Sequence, residues 1–445
     1  MEVLNLYKQL IGEFLKFKSI STDPKNFQAM SDTANWLKNL FDSNGFDTEL
    51  WKSKSTNPVV FAEFSPVVTT HISQPSTVLI YGHYDVQPAS AEGWKGNPFS
   101  LTEDDERLYG RGVIDNKGQV LVHIAAVLNL IQQNKLNCNV KFMIEGNEET
   151  GNEDLANIME IHKNRLKCDY VLVSDGELTN NKPTIEISLR GGFNCTLVYK
   201  SGANDLHSGM WGGAVPNAAH ELSHFLSNLF DETGSVNFKE FYQGLDTIEK
   251  GQLENNRRLS RQAGNLKNLA GVKQMLFGKS FDFFTTTGLR PTIQVTGIKS
   301  GYIDAGYANI VPAKAEARLN FRLAPSQQTK NIMKAFSNYV KSNTPKYIDY
   351  KLDFDHPHEP VTISDKNDAL VKIETLLEKV YKEKVNRRNV GGAIPFVADV
   401  RNILGVDTVL VPLVNEDCNM HGVNENFDKK FLIKSLEFSN SLFSI

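Results

Sequence analysis

Residues 77–88 read TVLIYGHYDVQP. A short run from Thr77 to Tyr81 is apolar with no polar alternation, and Gly82, His83 and Asp85 follow at once. Such a run is the pattern of a strand buried on both faces, as in a parallel sheet covered by helices. In those sheets ligands bind beyond the carboxyl ends of the strands. His83 and Asp85 therefore stand where an α/β protein keeps its chemistry. Two residues apart on an extended chain, their side chains share one face.

Working outward, the same alternation repeats. Upstream, Val3, Leu4, Tyr7, Leu10, Ile11, Phe14 and Leu15 recur at helical spacing, Asp32–Asn44 reads as a helix and Val59–Phe64 as an apolar run. Downstream, residues 119–133 (QVLVHIAAVLNLIQQ) predict a helix and 140–144 (VKFMI) a strand. Leu155–Asn164 predicts another helix and 170–173 (YVLV) another strand. This is the signature of an α/β fold with a mostly parallel sheet covered by helices. From Thr184 the character changes. Ile185–Leu189, Asn194–Tyr199, Thr292–Val295, Ala315–Arg322 and Ile348–Phe354 read as strands, and Asn217–Leu229 and Lys330–Ser342 as helices. A polar, mainly helical stretch lies between Phe238 and Phe284. That mixture predicts a small α+β domain. After Asn386 the apolar pattern returns at 406–414 (VDTVLVPLV), followed by a helix over Lys429–Leu442. The expected organisation is a catalytic α/β domain over 1–187 and 386–445, interrupted by an α+β domain over 188–385.

The 445 residues carry 48 Lys and Arg against 52 Asp and Glu, a formal net charge of -4, so no basic field invites nucleic acid or an anionic membrane. Cys138, Cys168, Cys195 and Cys418 form no C-x-x-C pair, and nothing resembles a disulfide framework, which points to a reducing compartment. The N-terminal segment has neither the continuous apolar core of a signal peptide nor the length of a membrane span. The protein is expected to be cytoplasmic.

Five stretches gather acidic and histidine residues near apolar runs or Gly-rich turns. They are 81–88 (YGHYDVQP), 108–119 (LYGRGVIDNKGQ), 145–151 (EGNEETG), 173–177 (VSDGE) and 418–425 (CNMHGVNE). Each alone has a plain reading. His83 and Asp85 suit a solvated loop pair, Asp115 an N-cap, Glu148 and Glu149 an acidic turn, and Asp175 and His421 satisfied strand ends. Together they make a donor set of nitrogen and oxygen for two cations. Adjacent carboxylates raise each other's pKa, and a cation relieves that, leaving one of them free for proton transfer. Histidine with carboxylate suits zinc, cobalt or manganese better than calcium or magnesium.

With these motifs in this order, the chain resembles, over essentially its whole length, the co-catalytic zinc peptidases. That family holds carnosinase, cytosolic non-specific dipeptidase, aminoacylase, carboxypeptidase G, acetylornithine deacetylase and succinyl-diaminopimelate desuccinylase. The long 238–284 segment is similar to the lid of the dipeptidase branch. The resemblance implies that His83 and Asp175 hold one metal ion, that Glu149 and His421 hold the other, and that Asp115 bridges them. It further implies that Asp85 orients His83. Glu148 would be the general base for hydrolysis of an amide or peptide bond by a hydroxide bridging the ions. His207, in NDLHSGMWGG, would reach the active site of the partner subunit of a homodimer and stabilise the oxyanion. Arg322 would hold the substrate carboxylate, Asn309 would lie beside the site, and Gly391 and Gly392 would line the substrate pocket. The implied substrate is a small peptide, with an N-acyl amino acid as the alternative; neither nucleic acid nor membrane is expected as a partner.

Overall fold

The computed structural model describes residues 2–53, 55–66, 75–90, 92–264, 266–277, 281–364 and 367–444. By its contacts the chain divides into two compact units. The first comprises Met1–Ile187, Ile363–Arg388 and Asp399–Ile445; the second comprises Ser188–Thr362 and Asn389–Ala398.

The first unit is built on a sheet whose order is Asp47–Trp51, Val59–Phe64, Asn139–Glu145, Thr77–His83, Tyr170–Val173, Asp407–Leu410 and Thr184–Leu189. The four central strands are parallel, and antiparallel pairs flank them. Register aligns their carboxyl ends: His83 pairs with Glu145, and Val173 with both Tyr81 and Leu410. Everything that follows these residues in sequence therefore emerges at one end of the sheet.

The helix Lys117–Gln132 is mostly apolar, and every residue from Lys117 to Leu130 is buried, as expected of a helix inside a core. It packs on the strand Thr77–His83 and on the helices Glu2–Phe14 and Lys429–Phe443. Close approach is possible because residue 82 is glycine: a Cβ there would lie 2.8 Å from Val120 Cβ and 2.7 Å from Asn116 Oδ1. The N-terminus of the helix thus comes to rest beside His83. A small antiparallel sheet of Thr102–Glu103, Arg107–Tyr109 and Asn426–Asp428 ties the segment before Asp115 to the segment after His421.

The second unit holds a four-stranded antiparallel sheet, ordered Thr292–Ser300, Lys314–Leu323, Gly191–Lys200 and Asp349–His358. Ala315, Ala317, Leu319, Phe321 and Leu323 alternate inward along their strand and meet Leu222 and Phe336 of the helices Ala218–Leu229 and Thr329–Asn343. Phe193 stacks on Phe321 at 4.3 Å between centroids. Replacing so buried a phenylalanine by alanine costs about 3–5 kcal/mol.

Two strands run past their expected ends. Thr292–Ser300 and Asp349–His358 form the edges of this sheet and are largely exposed on both faces, so no hydrophobic alternation marks them. The polar stretch contains the helices Lys250–Gln262, Leu266–Leu269 and Phe283–Leu289; its residues 265 and 278–280 lie outside the described residues.

Candidate metal centre

At the carboxyl end of the parallel strands the first unit assembles two triads of potential ligands. His83, Asp115 and Asp175 form one, and Asp115, Glu149 and His421 the other; within each triad the donor atoms all lie within 4.8 Å of one another. Asp115 belongs to both. Its Oδ1 is 3.1 Å from His83 Nε2, and its Oδ2 is 2.7 Å from His421 Nε2. Asp175 Oδ2 is 3.7 Å from His83 Nε2 and Glu149 Oε2 is 3.5 Å from His421 Nε2.

The donors are poised for something the protein itself does not supply. His83 is fully buried, yet its Nε2 makes no aligned hydrogen bond, and the buried Oε1 of Glu149 has no partner either. Buried polar groups are normally satisfied, so such orphans call for an explanation. Two imidazoles and three carboxylates around one point, with lone pairs unspent, fit a pair of divalent cations.

Electrostatics tell the same story. Burial pushes the Asp175 carboxyl up to about 7, with the Asp115 charge adding to the effect and His83 opposing it. Burial also raises Glu148 well above the usual carboxylate range; His83 pulls it back, while Asp175, Asp115 and Asp85 push it further. Burial works against the Asp115 anion too, but the bond from His421 and the nearby His83 ring prevail and hold that carboxyl below its ordinary value. Burial opposes a charged His83, and the Asp115 and Asp85 carboxylates beside its ring hold it well above its ordinary value. A cluster of acids that cannot all ionise unaided is what a cation would relieve.

Asp85 is buried behind His83. Its carboxylate lies 3.3 Å from His83 Nδ1, while the same nitrogen meets the Asp85 carbonyl at 3.1 Å. That carboxylate also accepts from Ser21 Oγ at 2.7 Å and from the backbone N–H groups of Glu148 and Glu149 at 3.3 and 3.1 Å. Residue 85 thus offers His83 Nδ1 two acceptors, its carbonyl and its carboxylate, and the carboxylate also holds the turn that carries both glutamates. Asp115 is not the N-cap of the following helix; Asn116 takes that place.

Several contributors were not singled out from sequence. Gln87 Nε2 donates to Glu149 Oε2 at 2.7 Å, and Asn116 Nδ2 to Ser174 O at 2.7 Å, beside Asp175. Arg111 and Glu425 form a buried pair at 2.6 Å behind Asp115. Their signal was faint: each lies inside a motif already noted, as an amide or as a charge beside the ligands.

In the second unit, His207 and Asn309 are exposed and adjacent, since His207 pairs with Ile310 and Ser208 N donates to Asn309 O at 2.9 Å. His207 caps the short helix Ser208–Trp211, its Nδ1 accepting from Gly209 N at 3.1 Å. Arg322 is half-buried, with Nε donating to Asn320 Oδ1 at 3.2 Å; burial lowers its pKa. Gly391 and Gly392 form a turn held by Arg190, whose Nε donates to Gly391 O at 3.0 Å and whose N–H donates to Gly392 O at 3.1 Å.

A family model for "Peptidase family M20/M25/M40" matches residues 79–444. The chain belongs to that peptidase family. It is 27% identical to a cysteinylglycine-S-conjugate dipeptidase of Corynebacterium striatum, over 94% of this chain and 91% of that protein. It is 26% identical to the Beta-Ala-His dipeptidase of Mus musculus, over 95% and 89% respectively. Among solved structures, an M20 family metallo-carboxypeptidase from Sulfolobus solfataricus superposes with a TM-score of 0.88 at 29% identity, covering 98% of each chain. Human carnosine dipeptidase 1, at 24% identity and a TM-score of 0.81, shares the fold. The family match makes the chain a metallopeptidase, and the two triads are the candidate ligands for a dinuclear metal centre. Among the described residues no helix is long and apolar enough to cross a membrane.

Proposed function

We propose that this M20 peptidase is a zinc dipeptidase in which Asp115 bridges two ions, His83 and Asp175 complete one site, and Glu149 and His421 the other. The observation that carries the reading is the pair of triads sharing one carboxylate, with a further carboxyl, Glu148, left over beside them. When bound, the two ions polarise the scissile carbonyl and acidify water. Glu148 takes the proton of the attacking water and passes it to the leaving amine; its raised affinity for protons suits it to hold one between those acts. His207 donates to the developing oxyanion, Arg322 grips the substrate carboxylate with its planar fork, and Asn309 with the Gly391–Gly392 turn shapes the pocket. The curated relatives named above are dipeptidases, and this disfavours an N-acyl amino acid substrate. Release of free amine from metal-supplemented protein, on a panel of dipeptides, longer peptides and N-acetyl amino acids, tests the reading. Dipeptides should be the best substrates. Preference for longer peptides would favour carboxypeptidase action, as in the Sulfolobus relative's name, and preference for acyl amino acids would overturn peptidase specificity.

The working form in this reading is a homodimer in which each His207 serves the partner's site. The edge strand Thr292–Ser300 supports it, leaving Val295 and Ile298 exposed, with Tyr302, Ile303 and Tyr307 beyond them; a bare apolar edge of this kind is ordinarily covered. Mixing a His207→Ala chain with a Glu148→Gln chain should restore up to about a quarter of wild-type activity when subunits exchange at random. Proven mixed dimers without recovery would remove the exchange. A cytoplasmic location is part of this reading, and the four free thiols support it.

A further inference from the structure

Asp115 and His421 lie 306 residues apart in sequence, and their meeting needs more than the sheet. His421 sits on a turn where Asn419, His421 and Asn424 all have positive φ, His421 at 58°. Few residues with side chains take up that conformation, Asn and His more readily than most, so three of them close together mark a tightly shaped turn. Asp115 follows Gly112, whose φ of 87° is a conformation glycine favours. Both turns are bound from behind by the same two side chains.

Glu425 is fully buried. Its Oε1 accepts from the backbone N–H groups of Gly112, Ile114 and Asp115 at 2.9, 3.0 and 3.3 Å. Its Oε2 takes the 2.6 Å bond from Arg111 Nη1 and a second bond from Gly112 N at 3.1 Å. The other end of the guanidinium, Nη2, donates to His421 O at 3.0 Å, Gly422 O at 3.2 Å and Pro88 O at 3.3 Å. Glu425 therefore grips the loop that delivers Asp115, and Arg111 grips the turn that delivers His421. The short bond between the two closes the clamp.

We propose that the Arg111–Glu425 pair is a positioning device that presets the second metal site, by holding the His421 turn at a fixed place relative to Asp115. The proposal rests on reading the two triads as metal sites. The pair touches neither ligand side chain; it acts on the backbone that carries them. His83 and Asp175 are held by other means, His83 by Asp85 and Asp175 through Asn116. The two sites should thus depend on the clamp unequally.

Arg111→Lys separates the two ends. An ammonium keeps the charge opposite Glu425 but cannot reach that carboxylate and three carbonyls at once. Glu425 keeps its hold on Gly112, Ile114 and Asp115, and the His421 turn is released. Titrating metal-free protein with zinc by calorimetry, the first ion should bind nearly as in wild type and the second about 10–100-fold more weakly, the usual cost of a lost outer contact. Glu425→Gln, which loosens the Asp115 loop itself, should weaken both ions. Unchanged affinity for the second ion in Arg111→Lys, or an equal fall for both ions in that variant, overturns the clamp. Wild-type protein that takes up no zinc overturns the metal reading beneath it, an outcome distinct from failure of the clamp alone. If Glu425→Gln does not fold, the unequal response of Arg111→Lys still decides the matter.

Discussion

His83 and His207 are the same side chain in opposite settings. His83 is fully buried at the end of a parallel strand, its ring held on one side by Asp85 and facing the Asp115 and Asp175 carboxylates on the other. His207 is exposed on the second unit, and its ring makes one bond, to the backbone of Gly209 two residues away. The first is fixed at the cost of burying charge, a cost that falls once a cation is shared among the carboxylates. The second is exposed and needs no buried charge. The contrast teaches that the buried histidine is fixed by the charges around it, whereas the exposed one is held by the local backbone.

The largest effect that sharpens this contrast comes from the buried side. Glu148→Gln should cut turnover by about 10²–10⁴-fold while leaving metal content at the wild-type level, because Glu148 lies outside both triads. Metal analysis beside steady-state kinetics checks it, and near-normal turnover would remove Glu148 from the role of base. Next comes the exposed side. His207→Ala should lower kcat by about 10²–10³-fold, the usual loss when one oxyanion donor is removed. Thermal stability and zinc affinity of the isolated chain should change little, since the ring is exposed and its hydrogen bond is to the nearby backbone of Gly209. A stability loss comparable to that of a core variant would break the comparison.

A smaller effect is expected one layer behind the metals. Asp85→Asn removes charge from the carboxylate beside His83 Nδ1, which also accepts from the backbone of Glu148 and Glu149. Zinc affinity should fall by about 10–100-fold, measured by competition with a chelating dye. An affinity equal to that of wild type would show that the Asp85 carbonyl, which also meets His83 Nδ1, is sufficient alone.

Much of the first unit could be read directly because burial leaves strong marks. The apolar runs at 77–81, 140–144 and 170–173 are strands, and each acidic or histidine motif beside them emerges at the same end of the sheet. Edges were harder. Asp47–Trp51 reads DTELW, a charged strand on the rim with no alternation to mark it. The strands Thr102–Glu103 and Arg107–Tyr109 are too short to show any period. The run at 406–414 forms a strand only over Asp407–Leu410; Val411, Leu413 and Val414 are equally buried without one, since hydrophobicity reports burial, not hydrogen bonding. In the site, the candidate ligands stood out only as a set, because acids and histidines followed several strand-like runs; their division between two metal sites came from the family resemblance. Arg111 and Glu425 did not stand out, because a single charge in a motif gives no sign of whether it faces water or a distant partner. Only the fold brings residue 111 to residue 425.

The account stands or falls on Asp115 serving two ions. Metal analysis of purified, zinc-loaded protein should give two ions per chain for wild type, matching the two triads. In Asp115→Ala both sites should lose occupancy together, since each triad is left with two donors. Two ions still tightly held in Asp115→Ala would contradict the bridging role and the shared architecture built on it.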